Sequence, residues 1–289
     1  EVIDYMAELM KSDYGNPSSI HHAGRKSRIL VENARKTVSH YLNTSAGNIF
    51  FTSGGTEADN MAIRRGILDN NISHAITSSI SHKAVIYPLE ELSDKKKIVL
   101  NYIKLDNNGK IDLIHLEDLL KNNPKTFVSI MHANNEIGTI QPIIEIGDLC
   151  KKYNAIFHCD TVQTIAHYPI DLQKINVDFI TGSAHKFHGP KGVGFIYISD
   201  NIDVEPFISG GSQERNMRAG TENVHAIAGL AKAMHLSYEN MDNDKEYISQ
   251  IKKYMIDQLM LNINDVQFNA NCTDFDSSLF KILSVSFPK

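Results

Sequence analysis

The sequence predicts an α/β domain built on a largely parallel sheet, and three observations carry that expectation. Short apolar runs of strand length alternate with helical patterns along most of the chain. One strand-like run after another is followed by a polar, chemically capable residue, as expected where ligands sit outside the carboxyl ends of parallel strands. The 289 residues are 42% hydrophobic and 22% charged, which suits one large domain, or a large and a small one, around a sizeable core.

The elements follow in order. The chain opens inside a helical pattern, EVIDYMAELMK. Strand-like runs are expected at 48–52, 74–78, 98–103, 127–131, 155–158, 179–181 and 194–198. Between them lie helical patterns at 57–68, 114–120 and 142–153, and a further one follows at 224–241. From Asp242 the texture changes: a charged link, DNDKEY, precedes an amphipathic helix at 247–261 and two strand-like runs. This divides the chain into a large domain, 1–241, and the start of a small one, 242–289, expected to be incomplete. Both ends read as cut, so the chain is expected to be a piece of a longer protein.

Bulk properties exclude several classes. A net charge of −5 argues against a direct nucleic-acid surface. No apolar run approaches the roughly 20 residues that span a bilayer. Three scattered cysteines, Cys150, Cys159 and Cys272, form no CxxC pair, which fits a reducing, cytoplasmic setting, and no histidine pair has metal spacing.

Five strand ends deliver candidate site residues. After Phe51-Thr52 comes SGGTEADN, where Gly54 and Gly55 allow a tight turn and a helix start presents free N–H groups to an anion, with Thr56 adding a hydroxyl. The guest expected there is a phosphate; an ordinary capped turn is the plain alternative. His82 follows the second strand, where it could stack on a ring or move protons, or simply start a helix. Asn134, Asn135 and Glu136 follow the fourth. Asp160 closes AIFHCD; a buried carboxylate needs a cationic partner, and a protonated pyridine nitrogen would supply one, with Gln163 donating to a ring oxygen from the start of the next helix. An N-cap role is the alternative for Asp160. In ITGSAHKFHGPKGVGF, Lys186 is the candidate nucleophile, since desolvation or neighbouring cations free its amine to form a Schiff base. Together these residues describe a pyridoxal phosphate site. The loop SGGSQERNMRAGT, 209–221, reads as an anion site, a subunit contact or an exposed charged loop.

These motifs, with GNPSSIHHAG, HANNEIGTIQP and HCDTVQ, resemble those of the cysteine desulfurases (NifS/IscS-like) of the class V aminotransferase superfamily. The resemblance implies the three-layer α/β/α, fold-type I architecture of pyridoxal 5′-phosphate enzymes, with a smaller α+β C-terminal domain. It implies Lys186 as the covalent anchor and Asp160 as the partner of the pyridine nitrogen. Gln163 and Asn135 would lie near the ring hydroxyl, and His82 would stack on the ring as an acid/base. Gly55, Thr56, Ser183 and His185 would hold the phosphate, with Thr221 reaching it from the other subunit of a homodimer. L-cysteine would become L-alanine, and the sulfur would pass as a persulfide to an iron–sulfur scaffold or a tRNA-thiolation enzyme. The sulfur-accepting cysteine and the substrate-carboxylate arginine are expected outside this stretch. Another class V enzyme, an aminotransferase or selenocysteine lyase, and a non-catalytic partner protein are the alternatives.

Overall fold

The computed structural model describes residues 1–287; Pro288 and Lys289, the end of the 242–289 segment, lie outside the described residues. Helices α1 (Val2–Ser12) and α2 (His22–Tyr41) precede a seven-stranded sheet. Its strands are β1 (Ile49–Thr52), β2 (His74–Ser78), β3 (Val99–Ile103), β4 (Thr126–Met131), β5 (Ile156–Asp160), β6 (Phe179–Ser183) and β7 (Gly194–Ile198). The spatial order is β1-β7-β6-β5-β4-β2-β3. Neighbours from β3 through β6 run parallel, and β7 is antiparallel to both β6 and β1. Helices α3 (Gly55–Leu68), α4 (Lys83–Asp94), α5 (Leu113–Asn122) and α6 (Ile143–Lys152) connect the strands, and α7 (Val224–Asn262) follows β7.

Period-two alternation makes the sheet two-faced. Val128, Phe157, Cys159, Ile180 and Phe195 pack on one side with residues of α2, α6 and α7. Phe127, Ile156, Phe179 and Ile196 pack on the other with Met61, Ile63, Val85 and Leu89 of α3 and α4. The result is the expected three-layer, mostly parallel α/β architecture. Strand succession turns back between β2 and β4, and a crevice forms at such a switch point.

Three local expectations change. The charged DNDKEY stretch is no break: it lies inside the 39-residue α7. No glycine or proline interrupts residues 230–262, and the charges sit mostly on a solvated face. The helix expected after Asp160 is a run of turns. Thr161 and Thr164 hydroxyls bond to backbone carbonyls there, and Ala166 takes φ 61°. Beyond α7, strands β8 (Gln267–Phe268) and β9 (Val285–Ser286) form a separate two-stranded ribbon.

The third change concerns the 209–221 loop, which is not simply an exposed charged loop. Glu214 is 5% exposed and forms a two-pronged ion pair with the buried Arg35, at 2.8 and 3.0 Å. Arg35 also donates to the Ile49 carbonyl and lies over the Phe51 ring, while Glu214 accepts from the Phe51 N–H. This pair holds Glu214, Arg215 and Asn216 in a left-handed run, φ 43°, 56° and 69°, that non-glycine residues adopt only under constraint. Glu214→Ala, which leaves the buried Arg35 only the half-exposed Glu32 as an ionic partner at 3.2 Å, should cost about 3 kcal/mol. The double change Arg35→Met with Glu214→Leu should recover most of that loss, as read by urea unfolding of the full chain.

Candidate active site

Strands β1, β2, β4, β5 and β6 end around one cavity of about 260 Å³. It is lined by Gly55, Thr56, His82, Asn135, Asp160, Gln163, Ser183, His185 and Lys186, nine of the ten residues to which the family resemblance gives a role. Thr221 is not among them. It lines a separate cavity with Gly192, Glu214 and Arg218.

The first wall is the start of α3. Gly54 takes φ 152°, a conformation closed to most side chains, and its carbonyl accepts from Ala58. The N–H groups of Gly55, Thr56 and Glu57 therefore have no acceptor within the helix. A Cβ on Gly55 would lie 2.8 Å from Val162 Cγ2, so glycine lets the helix start approach the turn after β5. Arg218 clamps this first turn through Glu57, at 2.8 and 3.2 Å, and Glu57 accepts from the Ser53 N–H. Arg215 likewise pairs with Glu32. Both arginines of the 209–221 loop are thus engaged by carboxylates.

The floor is acidic. Asp160 is the last residue of β5, 4% exposed, and its Oδ1 accepts from the Val162 N–H at 2.9 Å, an Asx turn where a helix N-cap had been the plain alternative. Asp59, one turn into α3 and 2% exposed, lines the same cavity. Burial pushes both carboxyls up to about 7; for Asp160 the charge of Asp59 adds to burial. The Thr181 hydroxyl donates to Asp59 Oδ1 at 2.7 Å, and His158 Nε2 lies 3.4 Å from the same oxygen without completing a hydrogen bond.

Lys186 sits in a single 3-10 turn (Ala184–Phe187) directly after β6 and is half-buried. No ion pair to its amine forms among the described residues. Ser183 Oγ and His185 Nδ1 are 2.9 Å apart beside it. His188 closes the turn in the left-handed region, φ 64°. His167 Nε2 donates to the Lys186 carbonyl at 2.8 Å. Burial, then Lys281, push His167 down to about 4, so the ring is neutral. Nearby, burial and the charge of Lys186 push the Lys281 amine down to about 7.

His82 caps α4, its Nδ1 accepting from the Ala84 N–H at 3.1 Å, and that bond leaves the ring proton on Nε2. Helix start and cavity wall are one position. Asn134 is buried and structural: its amide donates to the Ile80 carbonyl and its oxygen accepts from Glu136 and Ile137, which leaves Asn135 to face the cavity. A larger cavity of about 580 Å³, lined by Lys125, Ala155 and Asp178, lies at the opposite, amino-terminal ends of β4 and β5. Asp178 there is spent on the Phe157 N–H.

Sequence reasoning missed Asp59, His167 and Lys281. A signal existed for Asp59 alone: an acid four residues past Gly55 shares its helix face.

The Aminotransferase class-V family model matches residues 1–287. Cysteine desulfurase IscS of Dictyoglomus turgidum is 43% identical over 273 residues, which cover 93% of this chain and 68% of that protein. Putative cysteine desulfurase IscS 1 of Bacillus subtilis is 39% identical over 289 residues, covering 99% and 75%. A solved NifS-like protein superposes with a TM-score of 0.93 at 38% identity, covering 100% of this chain and 78% of that one. Its cavity at the carboxyl ends of a mostly parallel sheet and its end-to-end likeness to these relatives agree: the chain belongs to the class V aminotransferases and, within them, to the pyridoxal-phosphate-dependent cysteine desulfurases.

Proposed function

We propose that Lys186, Asp160 and the α3 start work together in desulfurating L-cysteine, releasing L-alanine and passing the sulfur as a persulfide to an acceptor protein. We assign the acceptor to iron–sulfur assembly or tRNA thiolation. The working form is a cytoplasmic homodimer in which Thr221, away from its own cavity, serves the partner's. The three unpaired, buried cysteines suit a reducing compartment. A small domain beginning near 242 belongs to the same proposal.

One observation carries the reading: among the described residues, Lys186, an amine without a carboxylate partner, shares a cavity with Asp160, a buried carboxyl without a lysine or arginine paired to it. The residues present fit pyridoxal phosphate. Unpaired N–H groups and the Thr56 hydroxyl at the α3 start, with Ser183 and His185, suit its phosphate. Asp160 suits a protonated ring nitrogen, and Lys186 suits the aldehyde carbon. Gln163 and Asn135 are placed for the ring hydroxyl.

Bound there, the cofactor supplies an electron sink for the bonds at the substrate's Cα. The rest falls to the chain. Asp160 holds the ring nitrogen's proton. His82, its Nδ1 fixed by Ala84, presents Nε2–H to the cavity and orients what lies against it. Lys186 holds the cofactor and, when released from it, is placed to carry a proton at Cα. The His167 bond to its carbonyl fixes the turn that aims it. None of the three cysteines lines the cavity; burial raises the thiols of Cys150 and Cys159 far above the range of a nucleophile.

Lys186→Ala in the full-length protein should abolish both the visible absorbance of bound cofactor and its borohydride-reducible attachment, and with them alanine and sulfide release from L-cysteine. Retention of a reducible cofactor would remove Lys186 from this role. Asp160→Asn should keep the fold, by circular dichroism, and lower turnover on the order of 10²-fold, because a neutral amide does not hold the nitrogen protonated. Near-normal turnover would refute the pairing.

A further inference from the structure

The α3-facing side of the sheet carries a buried polar row that none of these roles uses. Thr77, Ser129 and His158 are register partners across β2, β4 and β5. The Thr77 hydroxyl donates to the Ser129 carbonyl at 2.8 Å, and the Ser129 hydroxyl lies 2.9 Å from His158 Nδ1. Burial pushes His158 down to about 4, so the ring is neutral. Where Nδ1 accepts from the serine hydroxyl, the ring's own proton sits on Nε2, 3.4 Å from Asp59 Oδ1 and without a completed hydrogen bond to it. Asp160 lies two residues beyond His158, on the same face of β5, and its register partner on β6 is Thr181. Thr181 is the residue that donates to Asp59. Asp59 is therefore held by β6 through Thr181, with His158 of β5 close beside it, and it lines the same cavity as Asp160.

We propose that Asp59 is the positioning residue for Asp160. It sets a second buried carboxyl in the cavity that Asp160 lines, tied through Thr181 to the strand beside Asp160. The proposal rests on the pyridoxal phosphate reading for its purpose, since such a pair favours a cationic ring nitrogen, but its chemistry belongs to the chain alone. Two carboxylates sharing a dry site do not both ionise readily. The charged or titratable groups facing the pair are His158 on β5, His82 at the start of α4, and His185 and Lys186 across the same cavity; Cys159 points to the opposite face. Among the described residues no lysine or arginine forms an ion pair with either carboxyl. Thr181 works in the other sense, its donated bond favouring ionised Asp59.

The test uses full-length protein freed of cofactor. Infrared difference spectra against pH follow the C=O band of the protonated buried carboxyls, with Asp160→Asn assigning the Asp160 share. The unaltered protein should lose this band near pH 7. Asp59→Asn should move the Asp160 midpoint down by about one unit or more, the loss of one like charge. Thr181→Val, which keeps both carboxyls but removes the donor, should move the pair's midpoint up. A scaffold role alone would not produce opposite shifts. If Asp59→Asn leaves the Asp160 midpoint in place, or if Thr181→Val leaves the Asp160 share of the band unmoved, the proposal is wrong; should Asp59→Asn not fold, that Asp160 share in Thr181→Val decides. In cofactor-loaded enzyme, Asp59→Asn should lower kcat about tenfold with KM for L-cysteine unchanged, one pK unit being a factor of ten. Failure of the cofactor reading would show differently, as absent visible absorbance in the unaltered protein.

Discussion

Two buried carboxyls share one cavity with no lysine or arginine paired to them among the described residues, and much of the active site is arranged around that fact. Isolated charges of this kind are costly to bury, so the surrounding chain supplies N–H and O–H donors: Val162 to Asp160, Thr181 to Asp59. The remaining deficit is one of positive charge, and in the proposed function a cofactor with a protonated ring nitrogen would make it good. The same accounting explains Lys186 on the opposite wall, where an unpaired amine is a handle for a carbonyl carbon. A cavity lined by paired ions would have neither property.

The sheet creates this situation. Parallel strands β2, β4, β5 and β6 all end on one edge, and the helix that follows β1 begins there, so separate stretches of sequence deliver single residues to a common place. The 209–221 loop is tied back to that edge twice, by Glu214 to Arg35 and by Arg218 to Glu57. Those ties spend the loop's charges on structure, and Thr221 lines the separate cavity beside Glu214 and Arg218.

Much of this was legible in the residues. A run such as AIFHCD announces a strand with an acid at its end, and SGGTEADN a turn with free donors, because each rule acts within a few residues. What stayed hidden depends on contacts distant in sequence. Asp59 looks like any helix acid until Thr181, 122 positions away, is seen to bond it. His167 had no local context, and only the fold brings it to the Lys186 carbonyl. Glu214 reads as solvated until Arg35, 179 positions earlier, is found beneath it. The break expected at 242–247 failed for another reason. Charge density there marks a wet helix face and says nothing about where a helix stops.

That uninterrupted helix has a mechanical meaning. At 39 residues α7 is about 58 Å long. Its first turn leaves the Thr221 loop, Ser237 near its middle reaches the Phe187 carbonyl of the lysine turn, and Lys252 farther along donates to the Leu279 carbonyl and the Ser278 hydroxyl. It is a beam resting on three supports, with no joint between them. The segment around Leu279 and the carbonyl of Phe187 are thereby joined through one unbroken helix, so the far end of the chain and the lysine turn share a single element.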